Sequence, residues 1–126
     1  MLSQQDIDDI KNTVEAIKKT QEQQKHDWLN RNIEIIHQVI TNNLLFSCRQ
    51  AYQNWLLNGH SANCSAEFNY DKSVYAPIAV DANRILNAEV KKKYGDCYNV
   101  HVWQYDRTNN YLGFISYNCD LAIRKH

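Results

Sequence analysis

The first 58 residues contain neither glycine nor proline, which favours helix throughout this half of the chain. Ser3 can cap the start of a helix, and Asp6 lies where the positive end of the helix dipole favours a carboxylate. Apolar residues then recur at spacings of three and four, the period of one helix face. This first stripe consists of Ile7, Ile10, Val14 and Ile17. Because the stripe is narrow, it is typical of a coiled-coil seam, and we predict that these residues form an oligomer interface.

A second apolar stripe follows and differs in phase from the first. It consists of Leu29, Ile33, Ile36, Ile40, Leu44, Cys48, Ala51 and Trp55. The positions that would continue the first stripe are Gln21 and Gln24, so we expect a break or stutter near Lys25–Arg31. The segment then forms either a hairpin of two helices or one long bent helix.

The part of the second helix from Leu44 to Leu57 is apolar on nearly every side. A helix that is apolar all round is usually buried, so this segment is predicted to form the centre of the core or of an oligomer seam. Asn58 and Gly59 end the helix, since glycine suits the left-handed position that follows a helix.

Residues 59–126 predict a third helix and several short strands. Pro77 favours a first helical turn and Gly95 a helix end, so the third helix should finish at Tyr94. The predicted strands are Glu67–Tyr70, the two strands of a hairpin within Cys97–Asn118 that turns at Arg107–Asn110, and Leu121–Ile123. We therefore predict one α+β domain over residues 1–126, helical over 1–58 and mixed over 59–126. It combines a helical hairpin or long bent helix, a third helix, and a small antiparallel sheet with a C-terminal β-hairpin.

The predicted hairpin carries many aromatic residues. Since side chains alternate across a strand, one of its faces should be aliphatic and the other aromatic. The aromatic face is predicted to bind a partner through His101, Trp103, Tyr105, Tyr111 and Tyr117. Two alternatives remain open: the Leu44–Leu57 helix covers this face, or the face is an exposed platform. Gly113 lies mid-strand, where it permits a bulge or the close approach of another group.

The charge balance argues against general binding to nucleic acid. The chain has 14 Lys and Arg and 14 Asp and Glu, so its net charge is zero and no basic face is implied. Binding of a single strand by aromatic stacking is still an alternative, which requires Lys91–Lys93 to lie next to Trp103. Nothing in the sequence approaches the apolar length of a membrane span.

The cysteines and histidines offer a further alternative. The N-terminus has no secretion signal, which predicts a cytoplasmic protein with free thiols at Cys48, Cys64, Cys97 and Cys119. If the chain is the mature form of a secreted protein, two disulfides are possible. His60 and Cys64, and Cys97 and His101, are each separated by three residues, so they could serve a zinc- or thiol-dependent enzyme. Such a site requires Cys97 to precede the strand, because positions i and i+4 of a strand are about 13 Å apart.

The chain from the third helix onward is similar in pattern to the dynein light chains. Lys91–Lys93 and Tyr94 end a helix that antiparallel strands follow, as in that family. The resemblance implies binding of an extended peptide at a sheet edge. It does not extend to the helical first half, and no functional residue is carried across.

No catalytic motif stands out: the sequence lacks a glycine-rich phosphate loop, an HExxH and a nucleophile elbow. We therefore predict a non-enzymatic protein-protein interaction module with no cofactor. It would form a homo-oligomer through its N-terminal helices and bind a protein partner on the aromatic hairpin face. An adaptor, an inhibitor or an accessory factor of a virus or bacterium fits this description.

Overall fold

The computed structural model describes residues 1–59, 63–72, 77–104 and 111–124. Its helices are α1 (Gln4–Val39), α2 (Leu45–Asn58), α3 (Ala79–Tyr94) and α4 (Cys119–Arg124), and a π-helical turn at Ile40–Leu44 joins α1 to α2. Its strands are β1 (Asn63–Phe68), β2 (Tyr98–Gln104) and β3 (Tyr111–Asn118). The predicted α+β fold is confirmed, and the long bent helix is the correct alternative for the first half.

The helix is continuous through Lys25–Arg31, so the break that was one of the two expectations is absent. The spacing of the first stripe runs on through Gln21 and Gln24 to Trp28, which is completely buried. From Trp28 onward the buried positions Asn32 and Ile36 follow at steps of four, so the stripe changes phase as in a stutter while the helix continues. At the N-terminus the predicted cap is present, since Ser3 and Asp6 form a reciprocal capping box.

The irregularity lies instead at the π turn, Ile40–Leu44. The buried positions Ile36, Ile40 and Leu44 are four residues apart, and each such step rotates a straight α-helix by about 40° beyond a full turn. A π turn holds more residues, so it brings Leu44 back to the face that meets the core.

The sheet has the strand order β1-β3-β2, and both pairs are antiparallel. One face packs against the second half of α1 and the π turn. Its buried strand residues are Cys64, Phe68, Val100, Val102 and Ile115. The Phe68 ring lies directly over Gly113, where a Cβ atom would collide with it. Gly113 is thus the predicted site of close approach.

Helix α3 runs along the outer edge of β2. The Asn87 amide donates to the Val100 carbonyl at 2.9 Å and accepts from the Val100 N–H at 2.5 Å. Asn83 makes the same pair of bonds with Val102, and Lys91 Nζ donates to the Tyr98 carbonyl at 2.9 Å. The edge of β2 is therefore occupied, so it is not the open edge that the likeness to dynein light chains implies.

Helix α2 contains no buried residue, so the prediction that Leu44–Leu57 forms the centre of the core is wrong. Only Leu44, in the π turn, is buried. Cys48, Ala51 and Trp55 are half-buried against the core. The exposed large apolar side chains of α2 are Leu45, Phe46, Tyr52, Leu56 and Leu57. The alternative role of this segment, in an oligomer seam, stays a prediction.

The predicted final strand at Leu121–Ile123 is also wrong, since these residues lie in α4. Asn118 ends β3, and its side-chain oxygen accepts a hydrogen bond from the Leu121 N–H at 3.0 Å. This contact caps the first turn of a helix, which explains why the strand does not continue.

Candidate interaction surfaces

The first candidate surface is the N-terminal stalk, which we define as residues 4–27 of α1. Within the stalk every side chain is exposed except Ile7 and Gln24, which are half-buried. The predicted oligomer-interface residues therefore lie on a helix that projects from the body. Ile10, Val14 and Ile17 are 50%, 43% and 51% exposed.

The strand register divides the predicted partner-binding residues between two faces of the sheet. His101 pairs with Phe114 and Trp103 with Leu112, whereas Tyr98 pairs with Tyr117 and Gln104 with Tyr111. Tyr111 and Tyr117 thus lie on the core side, opposite to His101 and Trp103. The prediction of a single aromatic face was wrong because it assumed a pairing of the two strands that was one residue out of register. Tyr105 lies outside the described residues.

The second candidate surface is the open sheet face, which no described element covers. It carries Ser65, Glu67, Asn99, His101, Trp103, Leu112, Phe114 and Ser116. The Trp103 ring packs edge-on against Phe114 and His101, with ring centroids 5.8 Å and 5.9 Å apart, and Trp103 is 46% exposed. Of the two alternatives for the predicted aromatic face, the exposed platform therefore describes His101 and Trp103.

We expect Trp103→Phe to change the free energy of unfolding by less than about 1 kcal/mol, because Trp103 is 46% exposed and a phenylalanine ring keeps most of its contact with Phe114 and His101. Val102→Ala, one residue away on the core face, should cost on the order of 2 kcal/mol through lost burial and a cavity. Urea denaturation of both variants measures the difference. If Trp103→Phe is as destabilising as Val102→Ala, the open sheet face is covered by something in the folded protein.

The tyrosines of the core side form two separate pairs, one at each end of β3. The rings of Tyr98 and Tyr117 lie 4.9 Å apart, and Tyr70 packs against Tyr111 at 5.7 Å. Burial raises the pKa of Tyr98 and the pKa of Tyr117. The neighbouring Tyr117 raises the pKa of Tyr98 further, and Cys97 raises the pKa of Tyr117 further. Burial also raises the pKa of Tyr70, which accepts a hydrogen bond from Trp28 Nε1 at 3.1 Å.

These shifts predict a loss of stability at alkaline pH. A tyrosine with a raised pKa in the folded state stabilises the fold while it is protonated. This contribution is complete below the ordinary tyrosine pKa of 10.0 and is lost as the pH rises through the folded-state pKa. We expect the urea midpoint to fall from about pH 10 upward. Tyr98→Phe, which cannot ionise at that position, should reduce the slope. An equal slope in both proteins would contradict the assignment of this effect to Tyr98.

The cysteines and histidines do not form the predicted site. Cys64 is bonded to Cys48 in a disulfide, although free thiols were expected. Cys64 faces the core, and His101 lies on the opposite face of the sheet, so the two cannot share one ion. Cys97 does precede β2, as the predicted site required, while His60 lies outside the described residues.

Lys91–Lys93 do not lie beside Trp103. Lys91 reaches the Tyr98 and Asp96 carbonyls, and Lys93 lies over the Tyr94 ring. Five residues of strand, about 16 Å, separate Tyr98 from Trp103. The juxtaposition that single-stranded nucleic-acid binding requires is therefore missing among the described residues.

The sequence did not predict an apolar cleft between α2 and the sheet. The cleft has a volume of about 670 Å³. Its lining residues are Leu45, Cys48, Arg49, Tyr52, Tyr98, Tyr117, Cys119 and Ala122. The sequence signal for this cleft was that α2 is apolar on nearly every side, a pattern that predicted a buried helix.

Among the described residues, no helix has an apolar stretch that is long enough to cross a bilayer. Comparison of the chain with protein-family models, with curated proteins and with solved structures finds no match.

Proposed function

We propose that the protein is a non-enzymatic, self-associating interaction module. In this proposal the N-terminal stalk assembles copies of the chain, and each copy presents its open sheet face to a protein partner. The observation that carries the proposal is the apolar stripe of the stalk, which is exposed at Ile10, Val14 and Ile17 and half-buried at Ile7.

The stalk needs a partner for its own stability. Helices in proteins are stabilised mainly by packing of an apolar face against other parts of the structure. Within one chain, none of the described residues packs on the stalk in this way. A second copy would supply the missing contact, since a seam made by identical helices is complementary to itself.

The stripe fits the core positions of a heptad repeat. Ile7, Val14 and Gln21 take the a positions, and Ile10, Ile17 and Gln24 take the d positions. Isoleucine at both a and d favours three or four strands over two, so we expect a trimer or tetramer. The two glutamine layers weaken the seam toward the body of the protein.

The flanking charges favour parallel helices. All three e positions of the stalk are lysine (Lys11, Lys18 and Lys25), and the g positions that precede them are Asp6, Thr13 and Thr20. In an antiparallel pair, e positions face each other, which would place lysines together. In a parallel pair each lysine meets a g residue of the neighbouring helix, and Lys11 then meets Asp6.

Sedimentation equilibrium under reducing conditions tests self-association. We expect a mass of three or four times the 14.8 kDa of one chain. A pyrene label on the N-terminal amine tests orientation, because only parallel stalks bring the labels into contact and give excimer emission. A mass of one chain at all concentrations would overturn the proposal.

The open sheet face supports the second half of the proposal. Tryptophan is enriched at binding hot spots, and Trp103 lies exposed between Phe114 and His101. A protein partner that contacts this face should be captured by the wild type and lost with Trp103→Ala. Asn99→Ala, on the same face but farther along β2, is the matched control. Equal capture by all three proteins would contradict a role for this face.

A further inference from the structure

Three cysteine sulfurs meet at one point of the fold. They belong to Cys48 on α2, Cys64 on β1 and Cys119 at the start of α4, and all three lie within 4.8 Å of one another. Cys64 and Cys119 are 8% and 2% exposed, and Cys48 is half-buried. In the oxidised form Cys48 and Cys64 share a disulfide, with their Cα atoms 5.7 Å apart.

This arrangement matches the ligand spacing of a thiolate zinc site. Zinc binds cysteine sulfur at about 2.3 Å in a tetrahedron, which places the sulfurs about 3.8 Å from one another. Once the disulfide is reduced, small movements of the three side chains reach that spacing. The apolar cleft borders Cys48 and Cys119, so a fourth ligand, such as water, can approach from that side.

We propose that the reduced protein binds one Zn²⁺ through the thiolates of Cys48, Cys64 and Cys119. The Cys48–Cys64 disulfide is then the metal-free, oxidised form of the same site. This site shares only Cys64 with the set that the sequence predicted, and it does not depend on the proposed function.

A dithiol can supply the two electrons and two protons that convert the disulfide form to the metal-binding form. The dithiol breaks the Cys48–Cys64 bond, gives both its protons and two electrons to the two sulfurs, and becomes a disulfide itself. Zinc then displaces a proton from each of the three thiols. Both the disulfide and the zinc-bound form attach α2 to the body of the protein through Cys48, and zinc would also link α2 to α4. This attachment matters because α2 has no buried residue.

The test uses the full chain, reduced with a dithiol, freed of reductant without oxygen, and titrated with Zn²⁺ against a chromophoric chelator. We expect one Zn²⁺ per chain for the reduced protein and none for the oxidised protein. Cys119→Ser should lose stoichiometric binding, while Cys97→Ser, whose sulfur lies outside the cluster, should keep it. Circular dichroism verifies that each variant is folded.

Cobalt provides a second readout that does not depend on affinity alone. Co²⁺ in the reduced wild type should give the sulfur-to-metal charge-transfer and tetrahedral absorption bands of a three-thiolate site, and Cys119→Ser should weaken them. Failure of the reduced wild type to bind either metal overturns the proposal. Unchanged binding by folded Cys119→Ser, or equal loss with Cys97→Ser, also overturns the assignment of these ligands.

Discussion

Replacement of Ile10 and Ile17 by aspartate is expected to convert the protein from an oligomer to a monomer. Both side chains lie at d positions of the stalk and are about half exposed in one chain. In the proposed assembly each would be surrounded by its copies, so the change buries a ring of carboxylates in an apolar seam. Several kcal/mol of association energy would be lost, because unpaired buried charge is far costlier than lost apolar area.

Sedimentation equilibrium measures this effect, and a control variant separates it from the added charge. Asn12→Asp with Ala16→Asp adds the same two charges to the outer f and c positions of the stalk, where both residues are exposed. The control should keep the wild-type mass. Both variants should retain the urea midpoint of the body, since the stalk does not contribute to its core. If the aspartate pair at Ile10 and Ile17 keeps the wild-type mass, the first stripe is not the oligomer interface.

The limits of the sequence are clearest along the long helix. Periodicity correctly predicted helix over residues 1–58, but the break expected near Lys25–Arg31 is absent. The reason is Trp28, which continues the first stripe into the core, so the two stripes join within one continuous helix. A hydrophobicity pattern also could not predict the burial of Asn32, because asparagine is polar. It is buried because its amide pairs with the backbone of Asp71, a partner far away in sequence.

The candidate surfaces were predicted only in part. Strand alternation predicts that Trp103 shares a face with His101, but not that this face is exposed, since the sequence left open whether the Leu44–Leu57 helix covers it. Tyr111 and Tyr117 lie on the opposite face because of the register in which β3 pairs with β2. That register is set by a turn and by long-range contacts, which the sequence pattern does not show. The three-sulfur cluster joins α2, β1 and α4, and no local spacing indicates which cysteines meet.

The protected edge of β2 was missed as well, although its components are visible in the sequence. Asn83, Asn87 and Lys91 recur every four residues, which advances a helix by about 6 Å, close to the repeat of alternate residues on a strand. A helix that lies along a strand edge can therefore offer one side chain to every second backbone unit. An unprotected edge would invite pairing with another chain.

The double variant Asn83→Ala with Asn87→Ala is expected to reduce the free energy of unfolding by about 3 kcal/mol or more. The change removes hydrogen-bond partners from the N–H and carbonyl groups of Val100 and Val102, and each orphaned backbone group costs about 1–3 kcal/mol where water cannot replace the partner. The higher helix propensity of alanine offsets less than about 1 kcal/mol. Urea denaturation measures the loss.

Arg84→Ala with Lys92→Ala is the matched control, because both residues lie on the exposed side of α3 and should change stability by less than about 0.5 kcal/mol. The asparagine variant should also aggregate sooner at high concentration, since it frees the edge of β2 for pairing with other chains. If its urea midpoint equals that of the control, the edge hydrogen bonds contribute nothing. In that case the buried residues Ala82, Leu86 and Val90, with the bond from Lys91 to Tyr98, hold α3 to the sheet.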